Sequence, residues 1–94
     1  MKISDIIQRR RGTAGGGAWR VVTTNSGNEL WHYSTRMLTW TDTPSGVEIL
    51  QHSTGWGSVS DQNGMNTAFR VLRAPYRYDR DARGGGPRIT ETKQ

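Results

Sequence analysis

The chain has no cysteine, which excludes disulfides and thiolate metal sites. It has no apolar run near the ~18–20 residues that a membrane-spanning helix needs. Apolar residues make up only 32% of its 94 positions, against ~45–50% in an average globular domain on a count that includes Gly. An export signal is not legible either. Ile3, Ile6 and Ile7 form no continuous apolar segment, and Arg9, Arg10 and Arg11 follow them rather than precede them. These absences lead us to expect a soluble protein of a reducing, intracellular compartment, small enough for one domain.

What is present is unevenly placed. The large apolar residues, including all four tryptophans, lie between Trp19 and Leu72. The net charge of +5 divides sharply. Residues 1–11 carry Lys2, Arg9, Arg10 and Arg11 against Asp5, and residues 12–69 are mildly acidic. Residues 70–94 carry six arginines and Lys93 against Asp79, Asp81 and Glu91. The basic excess therefore belongs to the two ends. We divide the chain into a basic arm with a Gly linker (1–17), a folded domain (18–74) and a basic Gly/Arg-rich tail (75–94). A folded unit this small buries only about 60% of its unfolded surface, so self-association or docked ends would add useful burial.

Periodicity outlines an α+β fold. Ile3, Ile6 and Ile7 suggest a short N-terminal helix capped by Ser4 or Asp5, and Gly12–Gly17 reads as a flexible linker. Strands are predicted over 18–24, 29–38 with an extension to Thr41, 47–53 and, briefly, 56–60. Turn chemistry stands at 25–28 and 42–46. The adjacent apolar pair Met37-Leu38 implies a bend or bulge near Thr35. Met65, Ala68, Phe69 and Leu72 then recur at i, i+3, i+4 and i+7, the stripe of a helix. Ser58 with Asp61 makes a capping box, with Ser60 as a competing cap, and Pro75 ends the helix. The expected architecture is a three- to four-stranded antiparallel meander with one helix on one face. The other face stays open, with Val22, Leu38, Trp40 and Leu50 as candidate partner contacts.

The pattern His32-Tyr33-x-Thr35, Met37-Leu38, Gly55-Trp56-x-Ser58-x-Ser60 and Asn66 resembles a family of small bacteriophage proteins that share a domain of unknown function. It spans about residues 31–69, and the two Arg-rich ends lie outside it. The resemblance implies a phage accessory product in the host cytoplasm, with no known activity.

Chemistry-bearing residues are sparse. His32 and His52, with Asp61 or Glu48, would be an incomplete metal site without the spacing such sites show. Ser58 or Ser60 beside a histidine lacks a nucleophile elbow, and capping accounts for both serines. The glycines fit no phosphate-binding loop. For nucleic acid the candidate contacts are Arg9, Arg10, Arg11, Arg70, Arg73, Tyr76, Arg77, Tyr78, Arg80 and Arg83, which combine phosphate contact with stacking. Pairing with Asp79 and Asp81 would blunt that charge. We therefore expect a non-enzymatic protein without metal or cofactor that binds a protein partner, of the host if the phage resemblance holds. Nucleic-acid binding through the ends, or assembly into a homo-oligomer or virion by docking arms, are the alternatives.

Overall fold

The computed structural model describes residues 1–92; Lys93 and Gln94 of the expected tail lie outside the described residues. The elements are α1 (Ile3–Arg9), β1 (Gly12–Ala14), β2 (Trp19–Thr24), β3 (Gly27–His32), β4 (Thr35–Thr43), β5 (Gly46–His52), α2 (Val59–Leu72), β6 (Tyr76–Asp79) and β7 (Arg88–Glu91). Strands β1 to β5 form one antiparallel sheet in sequence order, and β6 pairs with β7 in a second, two-stranded sheet. The α+β class thus holds, with one strand more in the main sheet than the largest number predicted.

Helix α2 forms for the reasons its pattern suggests. Met65, Ala68, Phe69 and Leu72 are buried. The Ser58 side chain accepts from Asp61 N–H at 3.0 Å, and Asp61 Oδ2 accepts from Ser58 N–H at 3.2 Å. The expected strand 56–60 does not form. Asp61 Oδ2 also takes the Trp56 N–H, at 2.9 Å, so donors that a ladder would need are turned toward the helix start instead. Trp56 is left 85% exposed.

The predicted second strand is really two. It breaks at Tyr33-Ser34, with His32 opposite Thr35. Tyr33 adopts φ 54°, a left-handed conformation that costs a non-Gly residue about 1–2 kcal/mol, and its N–H donates to Ala18 O at 2.7 Å. Neither Gly, Pro, Asn nor Asp marks the position, only Ser34. Beyond it, the register of β3 and β4 slips between Leu30 and Trp31, so Met37 is the extra residue of a β-bulge. Consecutive Met37 and Leu38 are thereby both buried.

The ends are ordered, and here the expectations need correction. The supposed linker contains strand β1, with Gly12, Thr13 and Ala14 opposite Val21, Arg20 and Trp19. Gly15, Gly16 and Gly17 all have positive φ, so these glycines make a tight turn rather than a free hinge. Helix α1 is capped by neither Ser4 nor Asp5. Lys2 holds the cap position, and Asp5 reaches back to accept its N–H at 3.1 Å. Ile6 and Ile7 are fully buried and join the same apolar cluster as the α2 stripe. Both helices therefore lie over one face of the sheet.

The opposite face is polar. Trp31 Nε1 donates to Glu29 at 3.1 Å, and Arg36 bridges Glu29 at 3.3 Å and Gln51 at 3.1 Å. The Arg20 guanidinium lies 5.3 Å from the Trp31 ring. Among the described residues there is no open apolar face. Leu38 and Trp40, expected on it, are at 1% and 0% exposure, and the Trp40 indole is buried so completely that its N–H has no partner. Val22 is half-buried and Leu50 exposed.

Gly64 has no room for a side chain: a Cβ there would lie 2.1 Å from the Trp19 ring. Gly→Ala inside a helix ordinarily gains about 1 kcal/mol, but here overpacking, at about 1–3 kcal/mol, should reverse the sign. Gly64→Ala is expected to lower the melting temperature by several degrees, and Phe69→Ala, costing about 3–5 kcal/mol, by far more. A Gly64→Ala protein melting at or above wild type would show that Trp19 does not sit over this helix.

Candidate functional site

The most elaborate side-chain cluster joins β3 to the start of α2. His32 Nδ1 donates to Asp61 Oδ1 at 2.6 Å, and His32 Nε2 stands 3.3 Å from Ser60 Oγ. The His32 ring stacks on Trp19 with centroids 4.0 Å apart and planes within 6°. Asp61 is fully buried. Burial opposes its ionisation, but the hydrogen bonds from His32 and from the Ser58 and Trp56 N–H groups outweigh it, and the carboxyl is held below its ordinary value.

Ser60, His32 and Asp61 stand in the order of a nucleophile, base and carboxylate. Two of the three nevertheless have a structural task. Asp61 closes the capping box and the 56–58 loop, and His32 is clamped flat between Trp19 and the carboxylate. The two principal clefts, of about 550 and about 240 Å³, are lined by other residues. The geometry is that of a buried pin between sheet and helix. His52 takes no part in it; it packs on Tyr76, with ring centroids 5.4 Å apart. Among the described residues no group of three or more His, Cys, Asp or Glu could hold a metal ion.

The 550 Å³ groove lies where the edge strand β5 leaves the sheet. It is walled by Arg36, Thr39, Ile49, Leu50, His52 and Tyr76. A second register slip, between Thr39 and Trp40, makes Leu50 the extra residue on β5, and Leu50 is 45% exposed. No strand pairs with the outer edge of β5 among the described residues. Neither this edge nor its bulge was read in the sequence, where Leu50 was placed on a sheet face; the Val47–Ser53 run shows a strand but not its rank in the sheet.

The candidate nucleic-acid residues are separated. Arg10 is committed to the fold: its Nε and Nη2 grip Asp42 at 3.0 and 2.7 Å, and Nη1 donates to Ile7 O at 2.7 Å. That grip is the leading cause holding the Asp42 carboxyl below its ordinary value. Tyr78 is buried at 1% exposure, and its hydroxyl donates to Thr54 O. Tyr76 packs on Phe69 as well as His52. Neither tyrosine is a free stacking platform. Arg9, Arg11, Arg70, Arg73, Arg77, Arg80 and Arg83 do lie at or near the surface. Asp42 is at the turn end of β4 and β5, whereas the β6–β7 hairpin is tied through Tyr78 to Thr54, past the opposite end of β5. The basic ends thus make two surfaces, not one.

No protein-family model matches the chain, and no curated protein or solved structure is similar to it. No helix among the described residues is long and apolar enough to cross a membrane.

The carboxylate pin makes a pH prediction. The folded pKa of Asp61 is depressed below the ordinary value of about 3.9, so its contribution is fully present above that pH and is lost as pH falls through the folded value. Asp42 acts in the same direction. Wild-type urea midpoints should fall in acid. Asp61→Asn, which breaks a buried pair, should cost about 3–5 kcal/mol at neutral pH and flatten the acid dependence. Ser60→Ala should stay within about 0.5 kcal/mol of wild type. A Ser60→Ala loss as large as that of Asp61→Asn would contradict the pin.

Proposed function

We propose that this chain is a non-enzymatic binding protein that takes up an extended segment of a protein partner along the open edge of β5. The observation that carries this reading is the edge itself. Strand β5 runs for seven residues, Gly46–His52, about 23 Å of chain at ~3.3 Å per residue. Its outer backbone groups have no ladder partner. Soluble proteins commonly blunt such edges with Pro, Lys, inward charges or bulges; β5 has neither Pro nor Lys, and its bulge at Leu50 leaves Gly46–Ile49 in regular register. Main-chain pairing would supply affinity, and the groove beside Leu50, His52 and Tyr76 a pocket for alternate side chains. Leu50 is the exposed apolar anchor.

The surface differs from the apolar sheet face that the sequence suggested, but the class of function is the same. The resemblance to small phage proteins supports a host protein as the partner and the host cytoplasm as the setting; it rests on the short motifs alone. The His32–Asp61 pair, being a fold-holding pin, supports a role without catalysis.

Capture of a host protein by immobilised chain should survive nuclease treatment. Leu50→Lys, which places a charge on the edge without disturbing the core, should abolish capture at unchanged melting temperature. Val22→Lys, on the polar face, should leave capture intact. Capture that Leu50→Lys does not reduce would rule out the edge, and capture lost with nuclease would rule out a protein partner.

A further inference from the structure

The C-terminal hairpin carries a second feature, independent of the β5 edge. Alternation along its strands sends Tyr76, Tyr78 and Ile89 toward the core cluster. It leaves Arg77 opposite Thr90, and Asp79 opposite Arg88, on the outward side. Arg83, in the connecting turn, joins them with a left-handed backbone at φ 54°. Arg77, Asp79, Arg83, Arg88 and Thr90, with Ala82, line the cleft of about 240 Å³.

The electrostatics of this cleft are unbalanced. Ion pairs among the described residues join Arg10 to Asp42, His32 to Asp61 and Arg36 to Glu29. None involves Arg77, Arg83 or Arg88. The sequence led us to expect that Asp79 and Asp81 would pair with neighbouring arginines. Instead Asp79 Oδ1 accepts the Asp81 N–H at 3.1 Å, turning the chain. Three cations and one carboxylate therefore share a small concavity without internal neutralisation, an arrangement that an anion would relieve.

We propose that the hairpin cleft binds phosphate groups, and that their source is the backbone of a nucleic acid. A guanidinium fork matches the oxygens of a phosphate. A carboxylate is satisfied by one fork, whereas a phosphate presents enough oxygens for several donors, and here three arginines and Thr90 line one cleft. A repeated anion fits better than a single one because the free cations of this end are not confined to the cleft. Arg70, Arg73 and Arg80 are exposed too, and no ion pair holds them. Thr90 was not among the residues that the sequence singled out, and Arg88 only closed the Arg-rich stretch 70–88; the β6–β7 register brings them opposite Arg77 and Asp79.

The test is fluorescence anisotropy of the full chain with a labelled single-stranded oligonucleotide across a salt series, together with direct calorimetric titration of the same protein with sodium pyrophosphate. Binding should weaken steeply with salt. Combined replacement Arg77→Gln, Arg83→Gln and Arg88→Gln should weaken it at least tenfold and reduce the log–log salt slope by about two, at ~0.7 per phosphate contact on a single strand. The melting temperature should not change, since all three side chains are exposed. Arg9→Gln with Arg11→Gln, on the other basic surface, should leave binding intact. The proposal is overturned if the triple variant binds like wild type, if only the Arg9/Arg11 variant loses binding, or if no binding appears up to ~100 µM, the weak end of non-specific affinity. Pyrophosphate binding that the triple variant abolishes, without oligonucleotide binding, overturns the nucleic-acid source and assigns the cleft to a small free phosphate ligand.

Discussion

One buried carboxylate organises this structure. Asp61 has no contact with solvent, and its two oxygens serve three segments at once: the end of β3 through His32, the loop through Trp56 and Ser58, and the first turn of its own helix. A charge removed from water is tolerated only if its hydrogen-bonding capacity is filled. Here it is filled by donors from segments that would otherwise be unconnected. The consequence propagates. His32 is fixed in rotation, so Trp19 can stack flat on it, and Trp19 in turn occupies the volume that Gly64 leaves empty. Strand β2, strand β3 and helix α2 are locked by one chain of contacts, and none of its members can be altered without disturbing the next.

The scarcity of apolar residues explains why the ends are folded. The central segment alone would offer α2 as cover for strands β2 to β5. Ile6 and Ile7 from one end and Tyr78 from the other complete the cluster. The bulge at Met37 serves the same economy by burying two consecutive side chains. Polar groups fasten what apolar area cannot. Arg10 ends α1 in a left-handed conformation, and its clamp on Asp42 offsets the strain. Asn66 fastens the hairpin by pairing both backbone groups of Tyr78, at 2.9 and 2.8 Å.

These devices show which parts of the fold were legible in the sequence. The α2 stripe and the Ser58–Asp61 box are local patterns of fixed spacing, and they were readable. The anomaly of two adjacent apolar residues correctly implied a bulge, though not that both would point inward. The Tyr33 turn was illegible because a tyrosine at positive φ leaves no compositional trace; it is enforced by Ala18, fifteen residues away. Glycine-rich composition misled in the same way. Flexibility in the free chain and a tight turn in the folded one use the same residues, and only the pairing of Ala14 with Trp19 decides between them. The capping role expected for Ser58 was correct, but the companionship of His32 with Ser60 and Asp61 depends on strand register, which single-sequence periodicity cannot supply. The short motifs between His32 and Asn66 become intelligible here. Their His32, Met37, Ser58 and Asn66 are a pin, a bulge, a cap and a hairpin clamp, so the pattern describes a way of folding rather than a chemistry.

Charge and edge are likewise distributed by the fold. Arg10 and Arg36 are consumed by ion pairs that hold strands and helix ends together, whereas the arginines beyond Leu72 are not. The outer sheet face spends its polar groups on one another. Among the described residues the outer backbone of β5 has no ladder partner and the arginines on the outward side of the hairpin no ion pair, and strand β6 separates them: Tyr76 faces the groove and Arg77, the next residue, faces the cleft. Coupling between two such surfaces would need an element with two alternative arrangements. Strand β6 offers none, because Tyr78 is buried, bonded at both backbone groups and anchored through its hydroxyl. It behaves as a strut between the two surfaces rather than a lever, and occupation of one should leave the affinity of the other unchanged.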